Sequence, residues 1–180
     1  MNDTGLNRDR RLAPASVDPA RAAVVVEFAA SELFDRTFHE GMALVEDAAA
    51  YLDGAGRQDS KALARDAALA YADASMQLTT RLMQVASWLL VQRAVRMGDM
   101  AAADACQDRY RLGAPTPEAA ASDVAPDLTP EGLRDLAARA QRLHGRVLHL
   151  DRRIYLDTPA PDDAHPVRAQ HQRLQAAFGG

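Results

Sequence analysis

The sequence predicts an all-α fold, an antiparallel three-helix bundle with a long central helix and flexible N- and C-terminal tails. Three observations carry this. Apolar residues recur at three- and four-residue steps over three separate stretches, the pattern of helices that face a core. Ala is abundant and Lys61 is the single Lys among 21 basic residues, and both Ala and Arg are strong helix formers. Turn residues fall between the stretches, first at Gly54-Ala55-Gly56 and then at the prolines of the segment 113–128. A length of 180 residues fits one domain. The expected division is an N-terminal segment 1–25, a bundle 26–156 and a tail 157–180.

Residues 1–25 hold scattered polar groups, Pro14, Pro19 and the cluster Arg8, Arg10 and Arg11, which reads as an unpinned, disordered terminus. Asp18-Pro19 has the form of a helix start, with Asp at N-cap and Pro at N1. Val24-Val25-Val26 is β-branched and resists helix, so the first helix is placed at 27–53. Its stripe is Leu33, Thr37, Gly41, Leu44, Ala48 and Tyr51, widened by Phe34, Phe38, Val45 and Leu52. Gly54 and Gly56 then stop it by supplying a left-handed C-cap.

Asp59 or Ser60 caps the second helix, placed at 59–97 and about 58 Å long at 1.5 Å per residue. Gly98-Asp99 breaks it, and a possible extension reaches residue 111. Its apolar residues fall on two stripes. One is Leu78, Leu82, Val85 and Leu89. The other is Met76, Met83, Leu90 and Met97, at steps of seven. Asp73, Thr80, Ser87 and Ala94 make a third row of small or polar side chains, which lets another helix approach closely. The doubled apolar face has two readings: a central helix touching two neighbours, or a surface for a homodimer or a cargo partner.

The linker 113–128 contains Pro115, Pro117 and Pro126, and a connection this long in a compact domain is either mobile or functional. Thr129-Pro130-Glu131 opens the third helix, with Thr at N-cap and Pro at N1. It is placed at 130–156 with the seam Leu133, Leu136, Ala140, Leu143, Val147, Leu150 and Ile154. Thr158-Pro159-Ala160-Pro161 ends it. The tail closes with Leu174 and Phe178, a candidate contact for a partner. The first helix is acidic and the third basic. The row Arg139, Arg142, Arg146 and Arg153 is either a solvated face or a docking surface for an acidic partner.

No catalytic constellation emerges. A net charge of -4 and a pI of about 5.7 argue against a dedicated nucleic-acid binder. One cysteine, Cys106, allows neither an intramolecular disulfide nor a Cys-rich zinc site, and flanking Asp104 and Asp108 are expected to raise its pKa. No phosphate-binding glycine loop is present. None of the five histidines follows a Glu by three residues, as a di-iron bundle needs. His39 follows Asp35 by four, a weak metal pair, while His144 and His149 diverge on their helix. No cofactor or metal is expected. Apolar runs fall far short of the roughly 20 residues of a membrane span, and no signal-peptide pattern opens the chain. The expectation is a soluble, cytoplasmic, non-enzymatic protein with no nucleic-acid or membrane partner.

Several stretches resemble a known family. They are Phe38-His39-Glu40-Gly41-Met42-Ala43-Leu44-Val45-Glu46, Ala50-Tyr51-Leu52-Asp53-Gly54-Ala55-Gly56-Arg57, Ala70-Tyr71-Ala72, and the long run from Met76-Gln77-Leu78-Thr79-Thr80 through Ser87-Trp88-Leu89-Leu90 to Val95. Together with Leu150-Asp151 they resemble the RcdA family of alphaproteobacteria over about residues 28–156. The resemblance implies a three-helix bundle with a flexible tail, able to dimerise. It further implies a non-enzymatic adaptor for the ClpXP protease. Such an adaptor joins ClpX primed by the response regulator CpdR and delivers cell-cycle cargo such as CtrA, for which PopA is a further component. The alternative is a helical homodimerisation module with no role in proteolysis.

Overall fold

The computed structural model describes residues 18–113 and 127–156. Among the described residues six α-helices follow in order: α1 (Pro19–Ala29), α2 (Glu32–Asp53), α3 (Ala55–Ala62), α4 (Arg65–Met97), α5 (Ala102–Ala105) and α6 (Glu131–Tyr155), with a 3₁₀ turn at Asp108–Tyr110. No strand occurs among the described residues. The three long helices α2, α4 and α6 pack against one another, and α1 packs on α4, α5 and α6. The expected tail residues Leu174 and Phe178, and most of the linker, lie outside the described residues.

The first helix expected at 27–53 is two helices. Asp18 caps α1 through its carboxylate, which accepts from the Ala20 N–H at 3.0 Å, and Pro19 occupies N1. The segment from Pro19 is therefore helical rather than a disordered terminus. Val25 and Ala29 are fully buried. Burying one Val side chain stabilises by about 1.5–3 kcal/mol, which outweighs a helix-propensity cost of at most about 0.7 kcal/mol per residue. The break comes at Ser31, whose Oγ accepts from the Phe34 N–H at 3.1 Å and donates to the Phe28 carbonyl at 2.7 Å. The turn sets Phe28 edge-on to Phe34 and tilted against Trp88, with centroids 5.9 and 5.7 Å apart.

Other boundaries also shift. Gly54 ends α2 with φ −104°, so the stop needs no left-handed residue. The glycines here serve close packing instead: a Cβ on Gly56 would sit 2.7 Å from the Tyr71 hydroxyl. The second helix expected from 59 is split into α3 and α4 at Leu63-Ala64. Its 33 residues make α4 about 50 Å long, still the longest element. Gly98 closes α4 in the left-handed region at φ 79°, where a side chain would be strained. Pro130, not Thr129, is the N-cap of α6, and the buried Thr129 hydroxyl makes no capping bond. The α6 seam is buried except at half-buried Leu150.

Pairing between the helices fixes their directions. Asp35 pairs with Arg96, and Asp47 with Arg139, so α2 runs antiparallel to both α4 and α6. Trp88 bonds Asp151 and Gln92 bonds Tyr155, each 63 residues on, so α4 and α6 run parallel. The order is up-down-down, where an up-down-up path follows from short connections alone. A parallel neighbour requires a long crossover, and the segment between Met97 and Glu131 provides it.

Candidate interaction surfaces

The parallel α4–α6 seam is locked by one buried carboxylate. Asp151 is 1 % exposed. It accepts from Trp88 Nε1 at 2.9 Å, Arg111 Nη2 at 2.7 Å, Arg111 Nε at 3.1 Å and the Leu112 N–H at 3.2 Å. Arg111 also lies over the Tyr155 ring at 4.8 Å, and the Tyr155 hydroxyl accepts from Gln92 Nε2 at 2.7 Å. Burial pushes the Tyr155 hydroxyl up to about 12. This hub pins Arg111 and Leu112, just after the 3₁₀ turn, onto the bundle. Nothing in the charge pattern of the sequence separates Asp151 from a solvated acid; only its contacts do.

The other titratable groups singled out in the sequence lie apart from one another among the described residues. His39 Nδ1 donates to the Asp35 backbone carbonyl at 2.7 Å, while the Asp35 carboxylate pairs with Arg96, so the two do not share a ligand. His144 is buried, its Nε2 has no partner, and its pKa is lowered by burial and then by Arg81. The Cys106 thiol is pushed up by burial, whereas Arg21 and Arg111 lower it; the flanking aspartates expected to act on it are not the cause. No group of three or more His, Cys, Asp or Glu able to hold a metal occurs among the described residues. No helix there is long and apolar enough to cross a membrane.

The two apolar stripes of α4 have opposite fates. Leu78, Leu82, Val85 and Leu89 are buried. Met76, Met83, Leu90 and Met97 are 67 %, 65 %, 52 % and 63 % exposed. Leu69, seven residues before Met76 and absent from the expected row, is exposed as well. Asp73, Thr80 and Ser87 are exposed between them, with Ala94 half-buried. The outer face therefore alternates large apolar and small or polar residues at steps of four and three, the spacing of a coiled-coil seam. Beside Met83 an apolar cleft of about 310 Å³ opens between α2 and α4, lined by Val45, Ala48, Leu52 and Leu82.

The arginine row of α6 divides. Arg139 bonds Asp47 at 2.8 Å, and Arg146 pairs with Glu40. These two hold the basic helix to the acidic one, at about 0–1 kcal/mol each for exposed pairs. Arg142 and Arg153 are exposed and make no ion pair among the described residues. A groove of about 620 Å³ runs beneath Arg142 and Arg146, lined by Leu33, Thr37, Gly145, His149 and Leu150. A second depression shares Leu33 and Leu150 and continues it to Arg153 and Ile154.

Comparison with known proteins bears on these surfaces. A family profile described as "Protein of unknown function (DUF1465)" matches residues 25–178, a wider span than the resembling stretches 28–156, and one that includes the tail. No curated protein matches the chain. Among solved structures, the crystal structure of RcdA from Caulobacter crescentus CB15 is 57 % identical, with a TM-score of 0.61, over 73 % of this chain and 98 % of that one. The all-helical bundle, the quoted stretches and these two matches agree, and the chain belongs to the RcdA family, matched by the DUF1465 profile.

Proposed function

We propose that this chain is a non-enzymatic, cytoplasmic adaptor that raises the local concentration of cell-cycle cargo at the ClpXP protease. In this reading it joins ClpX primed by CpdR and tethers cargo of the CtrA type, with PopA as a further component for that cargo. Tethering lifts the effective cargo concentration to about millimolar and needs no chemistry of its own. The observation that carries the reading is a face of exposed Met76, Met83, Leu90 and Met97 on a chain 57 % identical to RcdA. A large apolar row of this kind is a protein-interaction surface. It serves self-association, cargo, or the two in competition. Leu174 and Phe178 in the tail form a second contact with a partner.

Reconstitution tests this. Purified ClpXP and CpdR from the same organism are mixed with candidate cell-cycle regulators, with and without the chain. Faster cargo loss that requires both the chain and CpdR supports the reading. Unchanged cargo loss, together with no binding to primed ClpX, leaves a homodimerisation module without a role in proteolysis. That second reading is favoured by the same continuous seam on α4, which is self-complementary in its alternation of large and small residues. Removing residues 158–180 is expected to impair delivery while helicity by circular dichroism is unchanged; equal delivery discards the tail contact.

A further inference from the structure

The groove between α2 and α6 has the wrong surface for a helix face left to water. Its floor is apolar: Leu33 is 47 % exposed, Leu150 is half-buried, and a Cβ built on Gly145 would meet nothing within 4 Å. Its charged lining is Arg142, Arg146 and Arg153 against the single carboxylate of Glu27. Arg146 is occupied by Glu40, while Arg142 and Arg153 have no carboxylate partner among the described residues. In a chain of net charge -4, two unpaired arginines flanking an exposed leucine form a local exception to the overall sign.

We infer that this groove is a docking site for a short acidic amphipathic helix of a partner protein. The chemistry follows from the lining. Leu33 and Leu150 offer an apolar floor, and the open position above Gly145 lets a bulky side chain of the partner settle against the α6 backbone. Arg142 and Arg153 are eleven residues apart, about 16 Å along α6, so carboxylates about three turns apart on the incoming helix reach both. Its apolar anchors fall at i, i+4 and i+7, the spacing by which a helix occupies a groove. Complementary charge at the rim sets the partner's orientation and speeds its arrival. The α4 seam differs in kind: Met76, Met83, Leu90 and Met97 form a continuous row of exposed apolar side chains, with Arg109 and Arg111 lining a depression beside Met83. The inference extends the partner-carrying reading above, and it is tested separately because peptide binding requires neither protease nor cargo degradation.

The experiment uses the full chain and a fluorescein-labelled peptide of about 16 residues, with Leu at i, i+4 and i+7 and Glu on both flanks. A twin carries Gln for every Glu. Fluorescence anisotropy is expected to show saturable binding of the Glu peptide. The expected loss is at least tenfold for Arg142→Glu combined with Arg153→Glu, and also for Leu33→Asp. All three positions are exposed, so circular dichroism and the unfolding midpoint should hold. A charge reversal away from the groove, at exposed Arg57→Glu on α3, should leave peptide affinity unchanged. Equal binding of the Gln twin, or affinity indifferent to the charge reversal, overturns the inference. Two further results overturn it in favour of another occupant. Strong binding only after residues 157–180 are removed assigns the groove to the chain's own tail. A fall in oligomer mass caused by the charge reversal assigns it to a second copy.

Discussion

The two apolar faces of α4 are built from the same kinds of residue and do opposite things. Leu78, Leu82, Val85 and Leu89 are at most 5 % exposed, whereas Met76, Met83, Leu90 and Met97 are more than half exposed. Hydrophobicity does not separate them; register does. The inner residues meet α2 from one side and α6 from the other, and the Trp88–Asp151 and Gln92–Tyr155 bonds fix the alignment with α6. The outer row, about one 100° step round the helix, meets no surface among the described residues. This helix is apolar on more of its circumference than the described bundle covers, and the proposed interaction surface rests on that excess.

The comparison breaks most severely at the hub that aligns the inner face. Asp151→Ala leaves Trp88 Nε1, the Arg111 guanidinium and the Leu112 N–H without their shared acceptor. Losing one member of a buried ion pair costs about 3–5 kcal/mol. The lower end applies here, because the Arg111 side chain is 18 % exposed and keeps some water. The expected result is a urea midpoint lowered by an amount equivalent to about 3 kcal/mol, with faster hydrogen exchange at the Leu112 amide. An unchanged midpoint would mean that the hub does not hold the seam.

A smaller effect is expected where α2 presses on the same inner face. A Cβ added at Gly41 would stand 2.6 Å from Leu89 Cδ1 and 3.8 Å from Leu143 Cδ2. Leu89 is fully buried, so its methyl group cannot move aside freely. Gly41→Ala should gain helix propensity of about 1 kcal/mol and lose about 1–3 kcal/mol to overpacking. Net destabilisation in chemical denaturation is the expected sign; a net gain would show the inner face looser than its burial implies.

These two sites mark the limit of what the sequence reveals. The periodicity of α6 is readable because one face is apolar and the rest charged, and Gly98 is readable because only a left-handed stop suits it. Gly41 is legible only as a small residue within a stripe, since the close approach that requires it lies between elements. The break at Ser31 is hidden because Phe28, Ala29 and Ala30 before it are compatible with an unbroken helix, although Ser before Glu-Leu-Phe is a capping signal. The start at Asp18-Pro19 is visible in sequence and loses there to the β-branched run; tertiary burial of Val25 reverses the balance. The direction of α6 is not encoded locally at all. Only the length of the crossover hints at it. The exposed methionine row is legible as a pattern, but its exposure depends on where α6 lands.

The packed interior also carries a pH dependence. His144 is buried on α6 and its folded pKa is depressed below 6.5. The unfolded chain therefore binds its proton more readily, and the associated stability is present above about pH 6.5 and lost as pH falls through the depressed value. Tyr155 gives the opposite edge. With its pKa at about 12 against 10.0 unfolded, stability is full below pH 10 and falls between pH 10 and 12, by about 1.4 kcal/mol per unit. Denaturation midpoints across this range should form a plateau with both shoulders. His144→Gln should flatten the acid shoulder alone, and Tyr155→Phe the alkaline one; shoulders that survive both substitutions would place the titrating groups elsewhere.

The least change in stability, and the sharpest contrast, is expected on the outer face. Met83→Glu combined with Leu90→Glu places charge at two positions that are 65 % and 52 % exposed. Surface substitutions of this kind usually alter stability by no more than about 0.5 kcal/mol, and both residues stay within good helix formers. Against a second copy of the chain or an apolar cargo, the same two charges must be buried without a partner, which costs far more than the exposed state. Sedimentation should therefore show the wild-type mass distribution shifted to monomer, or cargo binding reduced at least tenfold, while the unfolding midpoint holds. If the midpoint instead falls by as much as it does for Gly41→Ala, the outer row is part of the core in solution and the distinction between the faces is lost. If midpoint, mass and cargo binding are all unchanged, the row is exposed without a partner, and the alternation of large and small residues along α4 has another origin.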